Sequence, residues 1–184
     1  MRVLVAYASL HGATQGIAER MADRLRAAGH LAEAQPTTRV GDLDGYDAFV
    51  IGGAAYIGRW LKDATEFVLR HRAVLAERPT WLFSSGPLGT DPIDAQGRDQ
   101  RDVAQPKEFA ELRDAVHPRE LRVFFGALDP SHLGLRDRAI RTLPAGRALL
   151  PEGDFRNWPE IDAWAAGIAV ELTMTTASHG VQAG

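Results

Sequence analysis

The chain opens with Arg2-Val-Leu-Val-Ala-Tyr-Ala-Ser-Leu-His-Gly-Ala-Thr-Gln-Gly16, and no other segment says as much about its architecture. The apolar run from Val3 to Ala8 predicts a buried parallel strand, because polar residues do not alternate within it. A helical pattern begins directly after the turn Ser9-Leu-His-Gly-Ala-Thr14. Such a turn directs free backbone N–H groups and about half a positive charge from the helix dipole to one point. The segment therefore predicts an anion-binding loop.

The composition of this turn suits a phosphate monoester. Ser9 and Thr14 supply hydroxyl donors, and Gly12 allows the backbone to approach a ligand without a Cβ in the way. No lysine follows a second glycine, and the G-x-G-x-x-G pattern is absent, which argues against Mg-nucleotide hydrolysis and dinucleotide binding. An ordinary strand-to-helix turn, capped by Ser or Thr, is the alternative interpretation.

Composition bounds the class of protein. The chain has 184 residues, most simply one domain, and its 45% apolar and 24% charged residues are typical of a globular protein. A net charge of -3 argues against a nucleic-acid-binding surface. The absence of cysteine excludes disulfides, thiolate nucleophiles and cysteine-ligated metals, and we predict no metal site. No secretory signal or long apolar run is present, so we expect a cytoplasmic protein without a membrane-spanning helix. Its oligomeric state stays open, a homodimer included.

Strand and helix patterns alternate along the chain. Strands are predicted at 3–8, 30–35, 48–51, 80–84 and 121–127, and helices at 14–28, about 60–75, about 106–115 and 157–172. This alternation predicts an α/β fold, a doubly wound five-stranded parallel sheet with helices on both faces. Residues 90–105 are polar and predict a long mobile loop. We expect one domain over 1–174 and a disordered tail over 175–184.

Three strand ends carry turns that an ordinary connection does not need. They lie at 9–14, 52–60 and 84–89, and each contains glycine together with hydroxyl or aromatic residues. Open parallel sheets bind ligands outside the carboxyl ends of their strands, where the strand order reverses. The sequence therefore predicts a ligand site at that edge.

With these three turns, the chain resembles the flavodoxin-like family, whose strand order is 2-1-3-4-5 and whose cofactor is flavin mononucleotide (FMN). Gly53-Ala-Ala-Tyr-Ile-Gly-Arg-Trp60 resembles the loop beside one face of the isoalloxazine ring, and Ser84-Ser-Gly-Pro-Leu-Gly89 resembles the loop that closes the ring edge and the other face. More narrowly, the chain is similar to the subgroup that includes menaquinone-dependent protoporphyrinogen oxidases. Four segments carry that similarity: the turn Gly53-Ala-Ala-Tyr-Ile-Gly-Arg59, Glu66-Phe-Val-Leu-Arg-His71, Phe124-Phe-Gly-Ala-Leu128 and Asp154-Phe-Arg-Asn-Trp158.

The resemblance implies a set of FMN contacts drawn from the three turns. They are Ser9, Leu10, His11, Gly12, Ala13 and Thr14 for the phosphate, and Ala54, Ala55, Tyr56, Ile57, Gly58, Trp60, Ser85, Gly86, Pro87, Leu88 and Gly89 for the ring. Tyr56 and Trp60 are interpreted as stacking residues; the alternatives are a half-buried loop anchor for Tyr56 and core packing for Trp60. His11 is either a phosphate contact or an exposed loop residue. No catalytic side chain is predicted, since the chemistry belongs to flavin N5.

The implied function is that of an FMN-dependent oxidoreductase that transfers electrons or hydride, with a protoporphyrinogen-type compound among its candidate substrates. Two alternatives stay open: a non-catalytic electron carrier with a redox-protein partner, and a module that binds a deazaflavin. Residues 129–153 are basic through Arg136, Arg138, Arg141 and Arg147. They are interpreted as a solvated helix face or as a docking site for a carboxylate-bearing substrate or partner.

Overall fold

The computed structural model of the chain describes residues 1–134, 138, 139, 142, 143, 146 and 150–181. Its strands are β1 (Arg2–Ala8), β2 (Leu31–Pro36), β3 (Ala48–Tyr56), β4 (Arg59–Trp60), β5 (Thr80–Ser85), β6 (Glu120–Phe124), β7 (Ala127–Leu128) and β8 (Gly153–Asp154). Its helices are α1 (Ala13–Ala27), α2 (Lys62–Arg70), α3 (Arg72–Glu77), α4 (Gln100–Val103), α5 (Glu108–Val116) and α6 (Trp158–Val181).

The central sheet has the order β2-β1-β3-β5-β6, and its neighbouring strands are parallel. The five predicted strands therefore lie in the order 2-1-3-4-5, and the predicted α/β fold is confirmed. Two short antiparallel pairs were not predicted: β4 returns along β3, and β7 pairs with β8.

Helices cover both faces of the sheet. On one face α1 and α6 pack over the sheet, with Met21, Trp81 and Trp164 in a shared apolar layer. On the other face α2, α3 and α5 form a second layer around Phe49, Phe67 and others. Trp81 and Trp164 are buried as predicted, whereas Trp158 is partly buried at the border of the first layer.

The third predicted strand is longer than the sequence pattern indicated. The predicted strand ends at Gly52 and Gly53, yet both lie inside β3, which pairs with β5 as far as Ala54. A Cβ on Gly52 would lie 2.0 Å from Phe83 Cζ, and one on Gly53 would lie 2.6 Å from Trp60 Nε1. Much of the predicted loop over 53–59 is therefore strand, and β3 and β4 form a hairpin.

Two helix predictions and one loop prediction also need correction. The helix predicted over about 60–75 is divided at His71 into α2 and α3. The 90–105 segment, predicted as a mobile loop, contains α4 and a β-bridge between Ile93 and Asp99. The last helix continues past Leu172 to Val181, so residues 175–181 are helical rather than disordered, and residues 182–184 lie outside the described residues.

The structure describes only part of the basic segment 129–153. Arg138 is described, and its Nη2 donates to the carbonyl oxygen of Ser131 at 2.6 Å. Arg136, Arg141 and Arg147 lie outside the described residues, so the docking role stays a prediction. No helix in the described part of the chain combines the length and the apolarity that crossing a bilayer requires.

Candidate functional site

The three predicted turns meet at the carboxyl edge of the sheet. Strand register places Ala8 beside Gly53 and Ala54 beside Ser85, so the turns that follow β1, β3 and β5 are neighbours. The first and third turns are joined by a buried hydrogen bond of 2.8 Å between Thr14 Oγ1 and Ser85 Oγ. The predicted site residues are therefore brought together, as parallel pairing requires.

The first turn presents a set of backbone donors. Gly12 is the N-cap of α1, with a left-handed φ of 84°, and a Cβ placed on it would meet nothing within 4 Å. Its N–H donates to Ser9 Oγ at 3.0 Å, which fixes the turn. The amides of Ala13, Thr14 and Gln15 follow in the first helical turn, where a helix offers no internal acceptor. The turn therefore has the geometry of an anion site.

His11 leaves one polar atom of this turn unsatisfied. Its Nδ1 is buried and has no hydrogen-bond partner among the described residues. The ring meets Tyr56 edge-on, with centroids 6.2 Å apart and an interplanar angle of 81°. Burying a polar atom without a partner costs about 1–3 kcal/mol, so this position lacks the contact that a ligand atom could supply.

The β3–β4 hairpin carries the aromatic residues predicted to stack. Tyr56 is 38% exposed beside His11, so part of its side chain faces solvent at the site. Trp60 is only 3% exposed, donates from Nε1 to the carbonyl oxygen of Gly53 at 2.9 Å, and packs edge-on against Phe109. The structure therefore supports core packing for Trp60 over stacking on a ligand.

The turn of this hairpin is tied to the start of α5, which sequence reasoning did not identify. Glu108 accepts from the backbone N–H of Trp60 at 2.9 Å and from Arg59 Nη1 at 3.1 Å. The N–H of Lys107 donates to the carbonyl oxygen of Gly58 at 3.1 Å. No local motif marks these contacts, because the partners lie 48 and 49 residues apart in sequence.

The third turn is fixed to the end of β6. The N–H of Gly86 donates to Phe124 O at 3.2 Å, and the N–H of Gly126 donates to Pro87 O at 2.9 Å. Pro87 is buried, whereas Leu88 and Gly89 are partly exposed. A Cβ on Gly86 would lie 3.2 Å from that of Ala55, so the second and third turns are in close contact.

Arg156 lies against the first turn of α1. Its guanidinium pairs with Asp154 at 2.7 Å, reaches Ala13 O at 3.3 Å, and stacks 4.4 Å from the Trp158 ring centre. The Arg156 hydrogen bond lowers the pKa of Asp154 below its ordinary value. Gly16 makes room for the guanidinium, since a Cβ there would lie 2.6 Å from Arg156 Nη1.

A cavity of about 430 Å³ lies between this arginine and the third turn. Its lining includes Gly89, Arg101, Phe125, Phe155 and Arg156. Within the residues that the structure describes, no group of three or more His, Asp or Glu side chains is arranged to hold a metal ion.

Comparison with known proteins agrees with this geometry. A family profile described as "Flavodoxin domain" matches residues 4–144. Comparison with curated proteins gives no match.

Three solved structures resemble the fold at low sequence identity. A cysteine-to-serine mutant of a flavodoxin from Pseudomonas aeruginosa has a TM-score of 0.56 and 16% identity, with 94% of this chain and 99% of that chain covered. A flavodoxin from the domain Archaea has a TM-score of 0.56 and 14% identity, with the same shares covered. Rubredoxin oxygen:oxidoreductase from Desulfovibrio gigas has a TM-score of 0.60 and 12% identity, and the match covers 96% of this chain but only 37% of that one.

Proposed function

The chain belongs to the flavodoxin domain family, and from that premise we propose that it binds FMN at the carboxyl edge of its sheet and serves in electron or hydride transfer. The observation that carries the proposal is the buried Nδ1 of His11, which has no hydrogen-bond partner among the described residues, beside the backbone amides at the start of α1. A phosphate would satisfy both features at once, because a helix N-terminus favours an anion.

The residues present fit this cofactor in two regions. Ser9, His11 and the amides of 13–15 would hold the phosphate. Tyr56 would lie against the ring, while the small residues Ala55 and Gly86 allow the backbone to approach the ring edge. FMN supplies the redox chemistry when it is bound, and the protein supplies position and electrostatics.

The same site serves either a redox-protein partner or a small substrate. The exposed hairpin tip at Tyr56 and Ile57 favours exchange with a second protein, because it leaves this side of the site open. The cavity beside Phe125 and Phe155 favours a second candidate, an oxidase of protoporphyrinogen-type compounds. The aromatic walls suit a flat substrate, while Arg101 and Arg156 in the same lining are paired with Glu160 and Asp154.

Parallel titrations with FMN and riboflavin test the proposal, because the two flavins differ only in the phosphate. We expect the purified protein to bind FMN at least about tenfold more tightly than riboflavin, since charge-assisted hydrogen bonds contribute roughly 1.5–3 kcal/mol each. Absorption and quenching of flavin fluorescence report binding. Failure to bind either flavin would overturn the proposal. Equal affinity for both would show that the protein does not bind the phosphate.

His11→Phe sharpens the test, because the substitution removes Nδ1 and keeps an aromatic ring beside Tyr56. We expect FMN affinity to fall about three- to tenfold, with riboflavin affinity nearly unchanged. His71→Phe, at the junction of α2 and α3, is the matched control and should behave like the parent protein. Equal losses for the two flavins in His11→Phe would show that His11 does not contact the phosphate.

A further inference from the structure

The hairpin beside the proposed ring site extends past the last pair of β3 with β5, which joins Ala54 to Ser85. Its second strand, β4, has two residues, paired as Tyr56 with Arg59 and Ala55 with Trp60. A two-stranded hairpin of this length is at best marginally stable by itself. The backbone N–H of Trp60 finds its acceptor outside the hairpin, in the carboxylate of Glu108.

Glu108 uses both carboxylate oxygens for this contact. Oε2 accepts from Trp60 N at 2.9 Å, and Oε1 accepts from Arg59 Nη1 at 3.1 Å. The carboxylate is only 14% exposed, whereas the Arg59 side chain is 73% exposed. The bond to the buried backbone amide is therefore the stronger one, because water competes for Arg59 and screens its charge.

The start of α5 makes a third contact with the same turn. Lys107 N–H donates to Gly58 O at 3.1 Å, so three successive hairpin residues are held by two successive helix residues. Beyond Trp60, the N–H of Leu61 donates to Ala54 O at 2.9 Å. Tyr56 lies between these fixed points along the chain.

We propose that Glu108 is a positioning residue for the flavin: it fixes the β3–β4 hairpin from outside the site and so holds Tyr56 where the isoalloxazine ring binds. This inference rests on the proposed FMN site. It means that α5, which belongs to none of the three binding turns, determines the position of the residues on the ring side of the site. The hydrogen bonds of Glu108 within the described structure go to Arg59 and Trp60 of the hairpin, so we expect its effect to be specific to the ring.

The test compares Glu108→Ala and Glu108→Gln with the control Glu111→Ala, an exposed glutamate in the first turn of the same helix. Hydrogen exchange in the flavin-free protein measures the hairpin directly. We expect Glu108→Ala to speed exchange of the Trp60 amide by about tenfold or more, since a hydrogen bond to a charged group is lost. Glu108→Gln retains an oxygen acceptor and should restore most of the protection, while Glu111→Ala should match the parent.

Flavin binding by the same variants tests the positioning role. Glu108→Ala should weaken FMN and riboflavin by the same factor, about five- to thirtyfold, and raise the residual fluorescence of bound flavin as Tyr56 loses its place. Glu108→Gln should rescue both readouts. Glu108→Asp, which withdraws the carboxylate by one methylene, should give intermediate effects and replaces the alanine variant if that variant does not fold.

The outcomes separate this inference from the proposed function. An unchanged exchange rate of the Trp60 amide in Glu108→Ala would overturn the positioning role. A faster exchange rate together with the flavin affinity of the parent would also overturn it. Loss of FMN binding alone, with riboflavin binding retained, would also overturn it, because the effect would then act through the phosphate. If the parent bound no flavin, both the proposed function and the positioning role would fail, and the exchange data would still show whether Glu108 fixes the hairpin.

Discussion

Ile57, at the tip of the hairpin, adopts a backbone conformation that β-branched residues rarely take. It adopts a left-handed φ of 52° and is fully exposed, followed by Gly58 with a φ of 69°. Two-residue turns with both φ values positive favour Asn-Gly, because a β-branched side chain clashes with the backbone there. Since Ile57 buries nothing in return, its strain is not offset within the chain, and such strain concentrates at functional sites.

Relieving this strain should stabilise the protein. We expect Ile57→Asn to raise the free energy of unfolding by about 1 kcal/mol, the cost of a left-handed conformation for an L-residue. Denaturant unfolding of the flavin-free protein measures the change. Ile93→Asn, at another exposed isoleucine without a positive φ, should change it little. Equal effects in the two variants would mean that apolar exposure, not backbone strain, is responsible.

At the level of residues, the sequence predicts those parts of the site that a local motif marks. The turn from Ser9 to Thr14 could be predicted because a strand, a glycine and a helix start lie together in the chain. Trp60 stayed ambiguous because an aromatic residue at a strand–helix boundary suits both stacking and core packing. Glu108 was missed because its partners lie in a distant hairpin, and only the folded chain brings them within hydrogen-bonding distance.

At the level of elements, periodicity located the strands but not all of their ends. Gly52 and Gly53 have the composition of a turn, yet they lie within β3, where Phe83 and Trp60 occupy the space that larger side chains would need. The division of α2 from α3 at His71 is likewise unmarked by proline or glycine. Both features depend on tertiary packing, which overrides local propensity.

The packing of α1 against α6 includes an ion-pair cluster that makes stability depend on pH. Arg20 donates two hydrogen bonds of 2.7 Å to Asp162, and Arg24 adds a third. The hydrogen bonds from Arg20 and Arg24 lower the pKa of Asp162 below its ordinary value. A carboxylate whose pKa is lower in the folded state stabilises the fold above its unfolded pKa, and this contribution is lost as the pH falls.

We therefore expect Asp162→Asn to lower the free energy of unfolding at neutral pH. The gap between variant and parent should be full above the ordinary aspartate pKa of about 4 and should shrink below it. Denaturant unfolding at a series of pH values measures the gap. Asp23→Asn is the control, because the hydrogen bond of Asp23 to Arg26 lies within α1 and does not join α1 to α6. If the difference in free energy of unfolding stayed constant as the pH fell well below the ordinary aspartate pKa, the lowered pKa of Asp162 would not be its cause.

At the level of the whole molecule, the alternation of elements predicts a parallel α/β sheet, and the strand order is what the resemblance to flavodoxin-like proteins implies. The position of the site followed from that order, since the turns after β1, β3 and β5 must share one edge. The extent of the last helix did not follow. Residues 175–181 lack an apolar stripe, and helical continuation past Leu172 is unmarked in the sequence.

A chain truncated after Thr175 would show where the domain ends. The α6 side chains that complete the core are Ile161, Trp164, Ile168 and Leu172, and no described side chain beyond Leu172 is buried. Truncation after Thr175 should therefore change the free energy of unfolding by no more than about 0.5 kcal/mol.

Truncation after Ala163 provides the contrast. It removes Trp164, whose ring packs edge-on against Phe83 and Phe124, together with the rest of the α6 core face. We expect this shorter chain to lose cooperative unfolding, because α1 alone then packs on that face of the sheet. Far-ultraviolet circular dichroism during denaturant titration distinguishes the two chains. A marked loss of stability in the longer one would place residues 176–184 inside the domain, contrary to the predicted boundary near residue 174.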